Sequence, residues 1–341
     1  MDRFCERGGQ AVQEIPRDEA HRPMLVVSPI MNGSEGGRKA GLKNLVLARS
    51  SIDRASHLRT DALKLDQLWR QAKIIFLVKD RVHASDSKLL FHAANEISGE
   101  GERYFLGMNN QSGESYFAWH TNDEVLGDGE LRTLRQIGAE LDDEEAGLAV
   151  HAIALAHWHS SHPHCSKCGA ATRSELGGAV RVCEVDGSQH HPRTDPAVIV
   201  LVKDEDDRIL LGRQHSWAPN RFSNFAGFVE PGESFEQCVL REVREESGLV
   251  VHSVHYLGSQ PWPFPASIMI AYEATTSDVS TARPDGEEIV EIKWFSRESL
   301  KAALITGEIS LPPRISVSRR MVEYWYGKNA DEDLGADGWA R

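Results

Sequence analysis

Four glutamates, Glu233, Glu242, Glu245 and Glu246, fall in one short stretch with Arg241 and Arg244 among them. Ser234, with Gln237 three residues on, reads as a capping-box helix start, and Gly248 reads as the stop. At about 100° per residue, with Val239 as zero, Phe235 and Val243 lie within about 40° of it and mark an inner face. Glu242 then falls near −60° and Glu246 near −20°, one turn apart on the flank that should be buried. Arg241, Arg244 and Glu245 fall on the outer side, as on any solvated charged helix. Two like charges at the edge of a core are costly unless a cation sits between them. Oxygen donors of this kind suit Mg²⁺ or Mn²⁺. The alternatives at this point are a metal site and a structural oddity.

Two further clusters could carry chemistry. Cys165 and Cys168, with two residues between them, are followed after fourteen residues by Cys183, which makes three quarters of a zinc ribbon. Asp186 or His190 could complete it, with His162, His164 and His191 also near; the alternative is a packed knuckle without metal. The run from Ser259 to Ser267 holds Gln260, Pro261, Trp262, Pro263, Phe264, Pro265 and Ala266. Its prolines stiffen the chain, and its rings either pack the turn or offer a flat surface to a nucleobase.

The elements that must hold these residues are short and mixed. Strands are expected at 45–47, 74–78, 89–91 and 104–106, and a helical pattern from 128 to 159. From 195 on, strands are expected at 196–202, 208–213, 251–259, 267–274 and 288–295, with helices at 234–247, 298–306 and 316–327. The mixture is α+β. The chain has 341 residues, 40% of them apolar, enough for about two domains. No apolar run is long enough to cross a membrane, and no secretory signal is visible. The net charge of −13 argues against general nucleic-acid binding, though not against a local phosphate pocket. Five cysteines without an export signal read as cytoplasmic thiols; Cys5 is expected as an exposed thiol and Cys238 as packing.

The segment Gly227–Leu249 resembles the Nudix box, G-x5-E-x7-R-E-U-x-E-E-x-G-U, at every fixed position. The run Ser259–Ser267 resembles S-Q-P-W-P-F-P-x-S, the marker of the NADH pyrophosphatase branch of that family, again at every fixed position. Glu288, Glu291, Trp294 and Phe295 resemble the branch's E-x-x-E-A-x-W-F, and the likeness extends over roughly residues 70–325. The resemblance implies a Nudix α/β/α sandwich with a mixed sheet, preceded by a zinc-ribbon-like unit and an N-terminal α+β domain. The corresponding boundaries are a tail at 1–22, the N-terminal domain at 23–160, the ribbon at 161–192, the catalytic domain at 193–327 and an acidic, solvated tail at 328–341.

The implied activity is metal-dependent hydrolysis of NAD(H) to NMN(H) and AMP, and removal of NAD caps from RNA 5′ ends. Alternatives are a Nudix enzyme for ADP-ribose and a non-catalytic nucleotide sensor. By the same resemblance, Glu242, Glu245, Glu246, Glu288 and the carbonyl of Ala226 would hold Mg²⁺ or Mn²⁺, with Glu291 a weaker candidate than Glu288. The base would be Glu245, Glu246 or Glu288. Gly227, Glu233, Arg241 and Gly248 would shape the box. The marker residues from Gln260 to Ser267, with His191, Phe228 and Ser318, would contact substrate. The branch carries a fourth ribbon cysteine where this chain has Asp186, and any zinc there would be structural. The resemblance also implies a homodimer.

Overall fold

The computed structural model describes residues 41–123 and 127–335. The expected 1–22 tail and Cys5 lie outside them. The strand Asp195–Lys203 explains the architecture of the C-terminal half. It pairs in parallel with Ser267–Thr275 along its whole length. Its other edge is shared, with Ile209–Gln214 near the hairpin end and Phe225–Phe228 further back. His252–Trp262 and Ile289–Phe295 complete a six-stranded mixed sheet. Alternation along the central strand sorts its residues into two cores. Val198, Val200 and Val202 pack with Cys238, Val239 and Val243 of the helix Phe235–Ser247. Ile199 and Leu201 face Leu300, Met321, Val322 and Trp325 of the helices Arg297–Ile305 and Val317–Tyr326. The result is a helix–sheet–helix sandwich, as the resemblance implies.

The N-terminal half repeats the plan. Lys73–Val78 and Ser115–Thr121 form a parallel pair within a seven-stranded sheet. The long helix Asp143–Ser161 covers one face, and Ala62–Trp69 the other. Between the halves, Thr172–Glu175, Val180–Cys183 and Gln189–His190 make a small three-stranded sheet.

Several expectations of the sequence are corrected. Residues 45–47 alternate like a strand, but Val46–Ala48 is a 3₁₀ turn, because Leu45 enters the C-terminal core and Leu47 the N-terminal one. The 89–91 strand breaks at Leu90 into Lys88–Leu89 and Phe91–His92. The helical pattern from 128 begins instead as a strand, Glu130–Thr133, paired to Arg81–Ser85. The acidic segment after 327 is not free in solvent as far as it is described. Ala330–Asp333 is a helical turn, Leu334 is buried, and Arg319 donates to the carbonyls of Leu334 and Gly335.

Candidate active site

The helix Phe235–Ser247 has the capping box at Ser234 and Gln237, and Gly248 closes it at φ 70°. Glycine takes that left-handed conformation without penalty. Glu246 is 3% exposed, as its angular position demands, whereas Phe235, expected on the inner face, is 40% exposed. Phe235 stands in the first turn, where the loop before it leaves its ring open to solvent.

Arg241 organises the loop. Its Nε and Nη2 donate to the two carboxylate oxygens of Glu233, both at 2.8 Å. Nη1 reaches Glu242 Oε1 at 2.6 Å and Glu245 Oε2 at 3.1 Å, and Nη2 also bonds the Phe228 carbonyl at 3.0 Å. A fork of fixed donors suits this task in a way a lysine would not. The hydrogen bonds from Arg241 lead the effects that hold the Glu233 carboxyl down at about 2.

Glu246 is in the opposite state. Burial, then the charges of Glu288 and Glu242, push its carboxyl up to about 9; the Ala226 N–H opposes this, and Asp285 adds to it. Its Oε2 is buried and has no hydrogen-bond partner among the described residues. Glu242 is raised too, first by burial, with Arg241 opposing. Gly227 fits this crowding. A Cβ there would lie 1.9 Å from the Glu242 carboxyl carbon, so only glycine lets the strand pass the carboxylate. Glu288 stands one residue before the strand Ile289–Phe295 and accepts from Gln214 Nε2 at 2.9 Å. Glu291 is engaged elsewhere: although burial raises its carboxyl, ion pairs with Lys293 and Arg213 bring it below its ordinary value. Glu245 is more than half exposed.

A cavity of about 590 Å³ opens beside this helix, with Glu246, Ala226, Asn224 and Ser318 on one side. Arg81, Thr133, Arg135 and Gln136 of the N-terminal half form the other side, with Trp262 also in its wall. Trp217 and Arg221 come from the connection between the strands Ile209–Gln214 and Phe225–Phe228. The Arg135 guanidinium lies 5.0 Å from the Trp262 ring and 4.0 Å from that of Phe264.

Comparisons with known proteins agree on the family. The model of the NUDIX domain matches residues 193–313. That of the NADH pyrophosphatase-like rudimentary NUDIX domain matches residues 62–158. The NAD-capped RNA hydrolase NudC of Mycobacterium bovis (strain BCG / Pasteur 1173P2) is 39% identical over 296 residues, 82% of this chain and 94% of that protein. The chain belongs to the NADH pyrophosphatase branch of the Nudix hydrolases. The NAD-capped RNA hydrolase NUDT12 of Macaca fascicularis is 39% identical over 54% of this chain and 43% of its own length. A solved NUDIX hydrolase from Nitrosomonas europaea covers 40% of this chain and 78% of its own, at 22% identity and TM-score 0.35.

In this Nudix chain the marker run is a hairpin tip. Trp262 ends one strand, Ser267 begins the next, and the two residues pair. The tip divides its residues. Trp262 lines the cavity, while Phe264 packs edge-on against it at 4.8 Å, and both rings abut the N-terminal core. Gln260 is fully buried and spent on the chain itself, accepting from Leu47 N–H at 3.2 Å and donating to the Ile315 carbonyl at 3.0 Å. Pro261, Pro263, Pro265, Ala266, Ser267, His191 and Phe228 are not among the cavity-lining residues; Phe228 is 59% exposed.

The sulfur atoms of Cys165, Cys168 and Cys183 and a carboxylate oxygen of Asp186 all lie within 4.8 Å of one another. His190 is outside this group; its Nε2 lies 3.4 Å from Ser188 Oγ. Bonds from Ser188, then from the Cys183 thiol, hold the Asp186 carboxyl well below its usual range. Cys238 is fully buried on the box helix.

The sequence reading missed the wall supplied by the N-terminal half, Arg135 and Gln136 above all. They lie in a four-residue helix at 134–137 with no motif of its own. Asn224 was missed as well, although its place two residues before Ala226 puts both on one side of an extended chain.

Proposed function

We propose that this chain hydrolyses the pyrophosphate bond of NAD(H), giving NMN(H) and AMP, and removes NAD caps from RNA 5′ ends by breaking the same bond. The observation that carries this reading is the buried, unpartnered Oε2 of Glu246 on the wall of the cavity. A buried carboxylate crowded by two others calls for a cation. Glu242, Glu246 and Glu288, with the Ala226 carbonyl and Glu245 beside them, are the residues we assign to Mg²⁺ or Mn²⁺. Their hard oxygen donors fit such ions. When bound, such an ion neutralises pyrophosphate charge and acidifies a water.

The chain's own residues orient and deprotonate. Arg241, paired with Glu233, ties the end of the strand that carries Ala226, Gly227 and Phe228 to the helix through the Phe228 carbonyl. Trp262 and Ser318 shape the wall against the substrate, and Phe228 offers a ring where the loop meets solvent. Water oxygen bonds to one phosphorus as the bridging P–O bond breaks. The water's proton passes to Glu245, Glu246 or Glu288, and the leaving phosphate departs with the bridging oxygen.

The same reading assigns a structural Zn²⁺ to Cys165, Cys168, Cys183 and Asp186. Tetrahedral zinc at about 2.3 Å from sulfur places its ligands about 3.8 Å apart, a spacing compatible with this cluster. It also takes residues 23–160, 161–192 and 193–327 as N-terminal, ribbon and catalytic domains of a cytoplasmic homodimer.

Product analysis with NADH, NAD⁺ and ADP-ribose, each with Mg²⁺ or Mn²⁺, tests the proposal. NMNH and AMP are expected from NADH, and their loss in Glu246→Gln. Cleavage of ADP-ribose but not NADH would overturn the substrate assignment. Binding without turnover of any of the three would overturn the catalytic one.

A further inference from the structure

Asn224 is 5% exposed, lines the cavity and stands on the same side of the extended chain as Ala226. Its side chain is held from one end only. Nδ2 donates to the Ser318 main-chain carbonyl at 3.2 Å and to Ser318 Oγ at 2.9 Å. The Asn224 N–H reaches the same hydroxyl at 3.2 Å. A main-chain carbonyl can only accept, so the amide cannot be turned round without setting oxygen against oxygen. Ser318 Oγ accepts twice from Asn224, so its own proton goes to Ser223 Oγ at 2.8 Å. The direction of every bond in this network is therefore set. What it leaves over is Asn224 Oδ1, a buried acceptor with no partner among the described residues.

Unpaired buried acceptors are uncommon and costly, and one on the wall of a cavity asks for a donor that arrives with the ligand. Ile199, Ala226 and Met269, which line the same cavity, offer only apolar side chains. We infer that Asn224 is a specificity-determining residue whose Oδ1 accepts an N–H from a primary amide or exocyclic amine on the substrate. The inference rests on the NAD(H) reading and deepens it. NAD(H) carries that chemistry twice, in the nicotinamide carboxamide and in the adenine 6-amino group. An analogue with a carboxylate or a keto oxygen at either place sets acceptor against acceptor.

The test compares kcat/KM for NAD⁺, its nicotinic-acid analogue and its hypoxanthine analogue in wild type, Asn224→Val and Asn224→Ser. Wild type should reject one analogue by about 10- to 100-fold. The analogue rejected identifies which end of the dinucleotide meets Asn224. In Asn224→Val that ratio should fall at least about fivefold from its wild-type value, chiefly because cleavage of NAD⁺ itself slows. Asn224→Ser, which keeps an acceptor, should retain part of it and serves also if the valine variant does not fold. The ratio matters because the carboxylate analogue is also repelled by the nearby glutamates, an effect the valine variant leaves in place. Wild-type ratios near one for both analogues, or ratios unchanged in both variants, would overturn the inference while NAD⁺ cleavage stands. Failure of wild type to cleave NAD⁺ at all would sink the functional reading, and the inference with it.

Discussion

Glu145 in the N-terminal half and Glu246 in the C-terminal half are both buried, and burial raises both carboxyls, but their surroundings differ. Glu145 sits in the first turn of Asp143–Ser161, where the helix dipole favours a negative charge. Burial raises its carboxyl, but the Leu89 N–H donates to it at 3.2 Å. Glu246 sits in the last turn of Phe235–Ser247, the unfavourable end, among other carboxylates and with one oxygen unpartnered. Both halves use a parallel strand pair covered by helices. One stores its carboxylate cheaply, as part of the packing. The other holds it at a cost that only a cation relieves. A shared plan therefore says little about where chemistry lies; the unmet needs of single atoms say more.

The contrast is most sharply broken by exchanging each glutamate for glutamine. Glu246→Gln should lower kcat/KM for NADH by roughly 10³-fold, as loss of a metal-holding carboxylate implies, whereas Glu145→Gln should stay within about threefold. Equal losses in initial rate would mean that both carboxylates are structural. Next in size, Gly227→Ala should cost about 100-fold in kcat, because its Cβ displaces Glu242. The thermal midpoint of that variant separates a displaced carboxylate from a misfolded loop.

Acidity gives a third comparison. The folded value for Glu246, about 9, lies above the ordinary carboxyl value of about 4.3. Its contribution to metal-free stability is thus complete below about pH 4.3 and is lost as pH rises through about 9. Thermal melts in chelator should show wild type falling behind Glu246→Gln by several degrees between pH 5 and 9. Saturating Mn²⁺ should narrow that gap, since the ion replaces the proton. A pH-independent difference would refute the assignment. Smallest in its effect on turnover, Gln260→Leu should leave kcat/KM within about threefold while costing roughly 1–3 kcal/mol in urea unfolding, because the Leu47 N–H and the Ile315 carbonyl lose their partner. A large rise in KM would place Gln260 at the substrate.

The box helix was legible to its last residue because its signals are local: a capping box, a terminal glycine and a charged residue in an apolar sector. The central strand was legible for the same reason, as an apolar run beside a turn. Phe235 was not, because its exposure depends on what the preceding loop leaves uncovered. The 45–47 segment misled because its alternation reflects two cores rather than two faces of a sheet. The strand Glu130–Thr133 reads as helix by spacing, and only its pairing with Arg81–Ser85 decides otherwise. The cavity wall at Arg135 and the orphaned oxygen of Asn224 arise from contacts between distant stretches, which no spacing rule encodes.

The placement of Leu45 and Leu47 has a consequence for motion. Two residues apart, they are set in the cores of opposite halves, and the hydrogen bond from the Leu47 N–H to Gln260 Oε1 ties the marker hairpin to them. The halves cannot part to admit a ligand without disturbing this short joint. The exchange rate of the single Leu47 amide proton with deuterium therefore reports how often this joint between the halves breaks.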